Sequence, residues 1–292
     1  MDWSAAQVTR VVYCTARVDA TESPSSFADQ DVYLKALTVV ESVDHIEYGT
    51  YVARVKSAPL AMRQPNGLVL AAIAGGRATN GGIAAYIGGT SAKIAHPLNV
   101  LEDSHLVSRH PDVFRKGRST CQIAEPLITF YQAVMRPRWA VLELGHARRV
   151  WPQARQAFLS QVVGPRFEQI CRDWALLADD AFDEPAAEVG SGVVADPARR
   201  AQIEIDVAAF AATAPGDRRR MLCLGEVKWG HTMGVRDLSR LERAKDLLAE
   251  RGLDTAAARL ACFSGSGFDD DLREAAAERA DVLLVDPSLL YA

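Results

Sequence analysis

Three charged residues in the last third of the chain stand out by their types and their spacing. Asp206 ends the run QIEID, and Glu226 and Lys228 follow in the otherwise strand-like run LCLGEVKWG. Alternate residues of a strand share a face, so Glu226 and Lys228 point the same way, and an antiparallel neighbour ending at Asp206 would join them. Two carboxylates suit Mg²⁺ or Mn²⁺, and a nearby lysine can orient or help deprotonate an attacking water. The pattern therefore predicts metal-dependent phosphodiester hydrolysis, with an ordinary ion pair as the alternative interpretation.

These residues need a sheet to hold them, and the C-terminal half has the pattern of one. Strand-like runs at 202–210 and 221–229 are followed by alternating helical and strand-like segments, which predicts an α/β sheet with crossover helices. The stretch DDAFDEPAAEVGSG, residues 179–192, is acidic and interrupted by Pro and Gly, and it predicts a loop. The alternating segments are the helix DLSRLERAKDLLAERG, the strand RLACFS, the helix DDDLREAAAERA and the strand DVLLVDP.

The middle of the chain, from Gly67, has the order helix, helix, helix, hairpin. The helical runs are GLVLAAIA, NGGIAAYIG and SAKIAHPLNVLEDS, and two short strands flank a basic turn in LVSRHPDVFRKGRSTCQIAEP. That order predicts a winged helix-turn-helix whose third helix lies in the major groove of duplex DNA and whose hairpin contacts the backbone or the minor groove. A small helical domain that makes protein contacts is the alternative. The predicted DNA-binding residues are Thr90, Ser91, Lys93, His96 and Asn99 on the third helix, and Arg115, Lys116 and Arg118 on the hairpin.

From about residue 66 to residue 292, the chain resembles the C-terminal region of the archaeal-type ATPases, often called the DUF234 family. Four stretches carry the resemblance in order: LNVLEDSHLVSRHPDVFRKGRSTCQIAEPLITFYQAVMRP, VGPRFEQICRDW, QIEIDVAAF and LCLGEVKW. The resemblance implies a winged helix followed by a restriction-endonuclease-like domain of the PD-(D/E)XK superfamily. By position it implies that Asp206, Glu226 and Lys228 are the metal-binding acids and the lysine of that superfamily. It also implies a catalytic role for Glu168, on the helix before the sheet, with Glu204 as a substitute or second ligand.

The chain also departs from that family. Full members begin with a P-loop ATPase, whereas this sequence has no G-x-x-x-x-G-K-[ST], so we expect no ATP site. Residues 8–62 instead resemble an interior piece of NYN domains, which are PIN-like ribonucleases, without the strands that carry the catalytic acids. The predicted architecture is an α+β and α/β multidomain chain. It comprises a partial NYN-like segment at 1–65, a winged helix-turn-helix at 66–145 and a nuclease-like domain at 146–292.

Composition restricts the function classes further. The net charge of -4 over 292 residues does not suggest a polyanion binder overall, so a nucleic-acid surface must be a local patch. Five cysteines without a close pair fit a reducing cytosol, and no apolar stretch approaches the roughly 20 residues that cross a bilayer. We therefore expect a cytoplasmic protein that cleaves duplex DNA and binds no membrane. The alternatives are a catalytically inactive DNA-binding or regulatory module and a partner of a separate ATPase, and either form could be a homo-oligomer.

Overall fold

The computed structural model describes residues 65–214 and 216–291. The NYN-like piece predicted at 8–62 lies outside the described residues. The described chain is mixed α+β and divides into two compact units. The first comprises residues 65–109 and 121–166, and the second comprises residues 110–120 and 167–291. The division into domains at residues 65 and 145 stays a prediction, and residues 146–166 cluster with the first unit.

The first unit begins with three helices and the base of a hairpin, in the order that the sequence predicts. Helix α2 begins where the Thr79 hydroxyl accepts a hydrogen bond from the Gly82 amide at 3.1 Å, and it ends at Gly88, whose φ of 71° favours glycine. The apolar sides of all three helices form one core with Val107, Cys121 and Ile123 of the hairpin. The elements are α1 (Asn66–Ala74), α2 (Asn80–Ile87), α3 (Ser91–Asp103), β1 (Val107–Pro111) and β2 (Ser119–Ile123).

A second group of helices completes the first unit. Helix α6 buries Val150, Ala154 and Phe158 along one side, and a π-helical turn at Leu159–Val163 joins it to α7. None of the helices between residues 65 and 291 is long and apolar enough to span a membrane. The elements are α4 (Pro126–Phe130), a π-helical turn (Tyr131–Met135), a 3₁₀ turn (Arg136–Arg138), α5 (Trp139–Glu143), α6 (Ala147–Phe158) and α7 (Gly164–Leu177), whose residues from Phe167 onward belong to the second unit.

A five-stranded mixed sheet in the order β3-β4-β5-β6-β7 forms the second unit. Strands β3, β4 and β5 are antiparallel neighbours, and β6 and β7 extend the sheet in parallel from β5. Parallel neighbours need crossovers, which α8 and α9 provide, and α8 packs its Leu238, Leu241 and Leu248 in the core against the sheet. The elements are β3 (Glu188–Asp196), β4 (Ala201–Phe210), β5 (Met221–Lys228), α8 (Val235–Glu250), β6 (Arg259–Ser264), α9 (Asp270–Ala277), β7 (Val282–Val285) and α10 (Pro287–Leu290).

Strand β3 corrects the prediction of a loop at 179–192, because residues 188–192 begin this strand. Gly190 and Gly192 gave the segment a loop-like composition, but both glycines lie in the sheet under side chains of residues 112–114. A Cβ on Gly190 would lie 2.5 Å from Val113, and one on Gly192 would lie 2.7 Å from the Phe114 ring. The glycines therefore allow a close approach instead of marking a turn.

Candidate active site

The ladder between β4 and β5 ends just before the predicted catalytic residues. Val207 and Gly225 are the last paired residues, and Asp206 and Glu226 come next on their strands. Strand β4 also carries one residue more than β3 between the pairs Gly190↔Ala208 and Gly192↔Ile205, so a β-bulge lies at 206–207. Bulges redirect side chains, and here Asp206 Oδ2 accepts a hydrogen bond from the Val227 amide at 2.8 Å. The Asp206 side chain thus continues the contact between the two strands where the backbone ladder stops.

Gly225 shows why β5 carries a glycine directly before its glutamate. A Cβ at this position would lie 2.7 Å from the Phe263 ring and 3.0 Å from Val207. The ring of Phe263 therefore occupies the space that a side chain would need. This packing holds the backbone of β5 close to β6 immediately before Glu226.

Glu226 is the most buried member of the site, with 2 % of its surface exposed. Its Oε1 accepts bonds from two cations, Lys228 Nζ at 2.5 Å and Arg240 Nη1 at 2.8 Å. The sequence predicted that Glu226 and Lys228 share a face, and their contact confirms it. The other oxygen, Oε2, is buried and has no hydrogen-bond partner among the residues that the structure describes. Oε1 of this carboxylate therefore has two cationic partners, whereas Oε2 is free to accept a further bond.

Helix α7 approaches β4 from outside the ladder and brings Glu168 and Arg172. Arg172 is 9 % exposed and donates a hydrogen bond to the backbone oxygen of Asp206 at 3.0 Å. Its guanidinium also lies 3.8 Å from the Glu168 carboxylate. Burial raises the pKa of Glu168; Arg172 opposes this rise, and the charge of Glu204 adds to it. Arg172 thus fixes the backbone of Asp206 and partly neutralises the acid beside it.

Electrostatics tie the four carboxylates into one site. Burial, then the charge of Glu168, and further the charges of Glu226 and Glu204 raise the pKa of Asp206 to about 7, although the Val227 amide opposes the rise. A carboxyl with that pKa holds its proton for about half of the time at neutral pH. The site therefore carries more potential negative charge than its cations balance, which is a common property of functional sites.

Lys228 stays an ammonium in this arrangement. Burial alone lowers the pKa of Lys228, but the hydrogen bond to Glu226 and the charges of Glu226 and Asp206 outweigh that effect and raise it. A lysine with a raised pKa does not take a proton from water at neutral pH. In this state its chemistry is that of a positive charge and a hydrogen-bond donor, which suits the orientation of water or phosphate.

The donor set for a metal is small. Between residues 65 and 291, position 215 aside, no group of three or more His, Cys, Asp or Glu side chains is arranged to hold a metal ion. The predicted ligands, Asp206 and Glu226, are a pair, and Mg²⁺ in proteins often takes one or two carboxylates and keeps several waters. The unpartnered Oε2 of Glu226 and the raised pKa of Asp206 are both compatible with these two residues holding a divalent cation.

The predicted DNA-binding residues of α3 lie on its exposed side. Ser91, Lys93, His96 and Asn99 are exposed, as is Thr90 just before the helix. The opposite side of α3 buries Ile94, Pro97, Leu98 and Leu101 in the core of the first unit, so Pro97 is accommodated inside the helix. The exposed side of α3 is therefore polar, and none of the predicted DNA-binding residues on it is acidic.

The hairpin residues have a different environment. The tip of the hairpin, residues 110–120, belongs to the second unit, where Asp112 forms a bridge with Ser191 of β3. Arg115 donates to Asp112 at 2.7 Å, while Lys116 and Arg118 are exposed. Asp112 also accepts hydrogen bonds from the amides of Phe114 and Val193. Arg115 is therefore paired with a buried carboxylate while its own side chain stays partly exposed, and Lys116 and Arg118 extend into solvent.

Two side chains that contact the candidate site were missed by the sequence-based prediction. Arg240 comes from α8, fourteen residues after Glu226, and Arg172 lies on α7, 34 residues before Asp206. Neither spacing forms a short motif, because both contacts are made between separate elements. A cation-rich amphipathic helix after an E-x-K strand was the available signal for Arg240, but it does not identify which arginine faces the sheet.

Comparison with protein-family models, with curated proteins and with solved structures finds no match to this chain. The fold and the site themselves describe a mixed α+β chain with a cluster of carboxylates on a five-stranded sheet.

Proposed function

We propose that this chain is a divalent-cation-dependent endonuclease-like protein of the PD-(D/E)XK type, acting on duplex DNA. The observation that carries the proposal is the meeting of Asp206, Glu226 and Lys228 where β4 and β5 part. Asp206 can meet Glu226 and Lys228 only if their two strands are neighbours, and β4 and β5 are antiparallel neighbours. Glu168, which shares the electrostatic environment of Asp206, is the fourth member of this proposed centre.

Each residue has a role that its environment supports. Asp206 and Glu226 would hold Mg²⁺ or Mn²⁺, through Glu226 Oε2 and the Asp206 carboxylate. When bound, such a cation polarises the scissile phosphate and stabilises the leaving oxygen. Lys228 would orient the attacking water and offset charge on the phosphate while keeping its own proton. Glu168 and Arg172 would hold Asp206 in place, because Arg172 bonds the Asp206 backbone and contacts Glu168.

Duplex DNA is the proposed partner because of the first unit. Its described residues contain nine Lys and Arg against four Asp and Glu, although the whole chain has a net charge of -4. In the proposal, α1, α2 and α3 with the β1–β2 hairpin form a winged helix-turn-helix, and α3 presents Ser91, Lys93, His96 and Asn99 to the DNA. Cations that neutralise phosphates give binding that weakens strongly with salt.

Cleavage of supercoiled plasmid and short duplexes with Mg²⁺ or Mn²⁺ tests the proposal. The informative variant is Asp206→Asn, whose amide oxygen can still accept the Val227 hydrogen bond while the charge is lost. The matched control is Glu274→Gln, which removes an exposed acid on α9. We expect metal-dependent nicking by the wild type and the control and none by Asp206→Asn. Equal nicking by all three proteins would refute the proposed site.

A catalytically inactive DNA-binding or regulatory module, or a partner of a separate ATPase, is the second candidate. The observation in its favour is that Lys228 and Arg240 already saturate Glu226 Oε1 with an ion pair. Salt-dependent duplex binding without cleavage would support the DNA-binding module. The absence of duplex binding at low salt would instead favour the protein partner, because phosphate contacts are strongest at low salt.

A further inference from the structure

Arg240 occupies an unusual position among the cations of α8. Its Nη1 donates to Glu226 Oε1 at 2.8 Å, the oxygen that Lys228 also contacts. Lys228 lies two residues from Glu226 on the same strand, so its contact follows directly from strand geometry. Arg240 comes from another element, and its contact places a second positive charge on an oxygen that is already neutralised.

The two oxygens of Glu226 are used very unequally. Oε1 has both cations, whereas Oε2 is buried and no donor within the described chain reaches it. A buried acceptor without a partner destabilises the folded state, and more so when the group is charged. A bidentate contact from Arg240 would satisfy Oε2 as well, yet among residues 65–291, position 215 aside, Arg240 bonds Glu226 through Oε1 alone. The unused oxygen therefore points to a ligand that is not a side chain of the described residues.

Two other cations of α8, Arg243 and Lys245, are held more firmly than Arg240. Arg243 makes two bonds to the buried Asp196, at 3.0 and 2.9 Å, and Lys245 donates to the backbone oxygen of Ala258 at 2.7 Å. Arg240 has one bond and a side chain that is 43 % exposed. Within the described part of the chain, four of the five N–H donors of its guanidinium have no hydrogen-bond partner, and the side chain is partly in solvent. Arg240 can therefore move toward solvent, whereas Glu226 is buried in the sheet and stays in place.

We propose that Arg240 is a phosphate-binding residue of this site, and that Glu226 holds it until a divalent cation binds the same carboxylate. A cation on Oε2 and Arg240 on Oε1 compete for the charge of one carboxylate, so a bound cation weakens the attraction that holds the guanidinium. Release from Glu226 frees the guanidinium fork for bidentate contact with a phosphate of the substrate, a geometry that arginine favours. This inference rests on the proposed function and adds a substrate contact and an order of events to it.

Two binding measurements on Arg240→Gln test the inference, with Arg236→Gln as the matched control on the same helix. Arg236 is also exposed, but it makes no contact with Glu226. The first measurement is a Mn²⁺ titration without DNA, followed by electron paramagnetic resonance. The second is the affinity of a 20-base-pair duplex in Ca²⁺, followed by fluorescence anisotropy. Circular dichroism melting curves establish that each variant is folded.

We expect Arg240→Gln to bind Mn²⁺ about threefold to tenfold more tightly, because a competitor for Glu226 is gone. We expect it to bind the duplex about tenfold more weakly, because a charge-assisted contact is lost. Arg236→Gln should change neither value by more than about twofold. Unchanged or weaker Mn²⁺ binding by Arg240→Gln, or unchanged duplex affinity, would overturn the inference.

The same data separate this inference from the proposed function. If the wild type binds Mn²⁺ and cleaves DNA while Arg240→Gln behaves identically, the proposed function stands and the inference about Arg240 fails. If the wild type binds no Mn²⁺ and Glu226→Gln is indistinguishable from it, the metal site itself fails, and the inference fails with it.

Discussion

The first unit presents its candidate residues to solvent, whereas the second unit holds its candidate residues against one another. On α3, Lys93 and His96 project from a helix whose opposite side is packed in the core. On β4 and β5, Asp206 and Glu226 are linked to backbone amides and to cations from α7 and α8. A surface of the first kind suits contact with a large charged partner. A centre of the second kind suits chemistry on one group, because its charges are fixed in position before a substrate arrives.

The largest effect should come from the second region, at Lys228. Replacing Lys228 with Gln removes a fixed positive charge, and we expect cleavage to fall about 10²–10³-fold. Duplex affinity should fall by a much smaller factor, because Lys228 is already paired with Glu226 and most of the proposed phosphate contacts lie on the first unit. Single-turnover cleavage and fluorescence anisotropy measure the two quantities separately. Equal losses of affinity and cleavage would show that Lys228 only binds DNA. The second region would then contact DNA as the first does, instead of performing the chemistry.

Gly225 tests whether the centre depends on tight packing beneath it. Gly225→Ala places a Cβ 2.7 Å from the Phe263 ring and 3.0 Å from Val207. Overpacking of this kind costs about 1–3 kcal/mol in free energy of unfolding. Gly230→Ala is the control, because a Cβ there meets no atom within 4 Å. Chemical denaturation of both variants gives the comparison, and equal stabilities would contradict the described packing.

Asp206 links the charge of the second region to the stability of the fold. Its folded-state pKa is about 7, against a usual value of 3.8. Below about pH 4 both states hold the proton, and as pH rises the unfolded state releases it first. Protonated Asp206 therefore contributes to the stability of the folded state at low pH, and this contribution is lost as pH rises through about 7.

Without divalent cations, Asp206→Asn should remove that pH dependence. From pH 5 to pH 8 the wild type should lose free energy of unfolding that the variant keeps. We expect the difference in stability, variant minus wild type, to rise by at least about 1.4 kcal/mol, the equivalent of one pKa unit. Urea denaturation of both proteins at the two pH values measures this gain. A constant difference between them would mean that Asp206 is not protonated in the folded protein at neutral pH.

The smallest effect belongs to the first region, where each contact is exposed. Lys93→Gln should weaken duplex binding severalfold and reduce the slope of log affinity against log salt by about 0.9, the value for one phosphate contact. Cleavage of bound DNA should not change. Arg218→Gln, an exposed cation of the second unit, is the control. A salt slope that is the same in both variants would remove α3 from the proposed DNA surface.

The two regions also differ in how well the sequence predicted them. The helices and hairpin around α3 follow local signals, including the cap at Thr79 and the turn at Gly88, and the structure confirms their order. The exposed side of α3 followed from helical periodicity alone. In the second unit, the strands with Asp206 and Glu226 were equally readable from their apolar runs, and the structure confirms that they are antiparallel neighbours.

What the sequence could not predict depends on contacts between distant segments. Gly190 and Gly192 indicated a loop, but in the structure Val113 and Phe114 cover them. Arg172 and Arg240 belong to helices whose rotation about their own axes decides which cation meets the sheet. The hydrogen bond from the Val193 amide to Asp112 likewise joins segments that are 81 residues apart. Local patterns therefore predicted the elements, the acids and Lys228, and tertiary packing added Arg172 and Arg240.

The location of a bound metal ion tests the central claim most directly. Crystals grown with Mn²⁺ can be examined by anomalous diffraction at the manganese edge. We predict an anomalous peak within coordination distance, about 2.0–2.2 Å, of carboxylate oxygens of Asp206 and Glu226. A peak at other residues, or none at this pair under Mn²⁺ concentrations that support cleavage, would contradict the proposed centre.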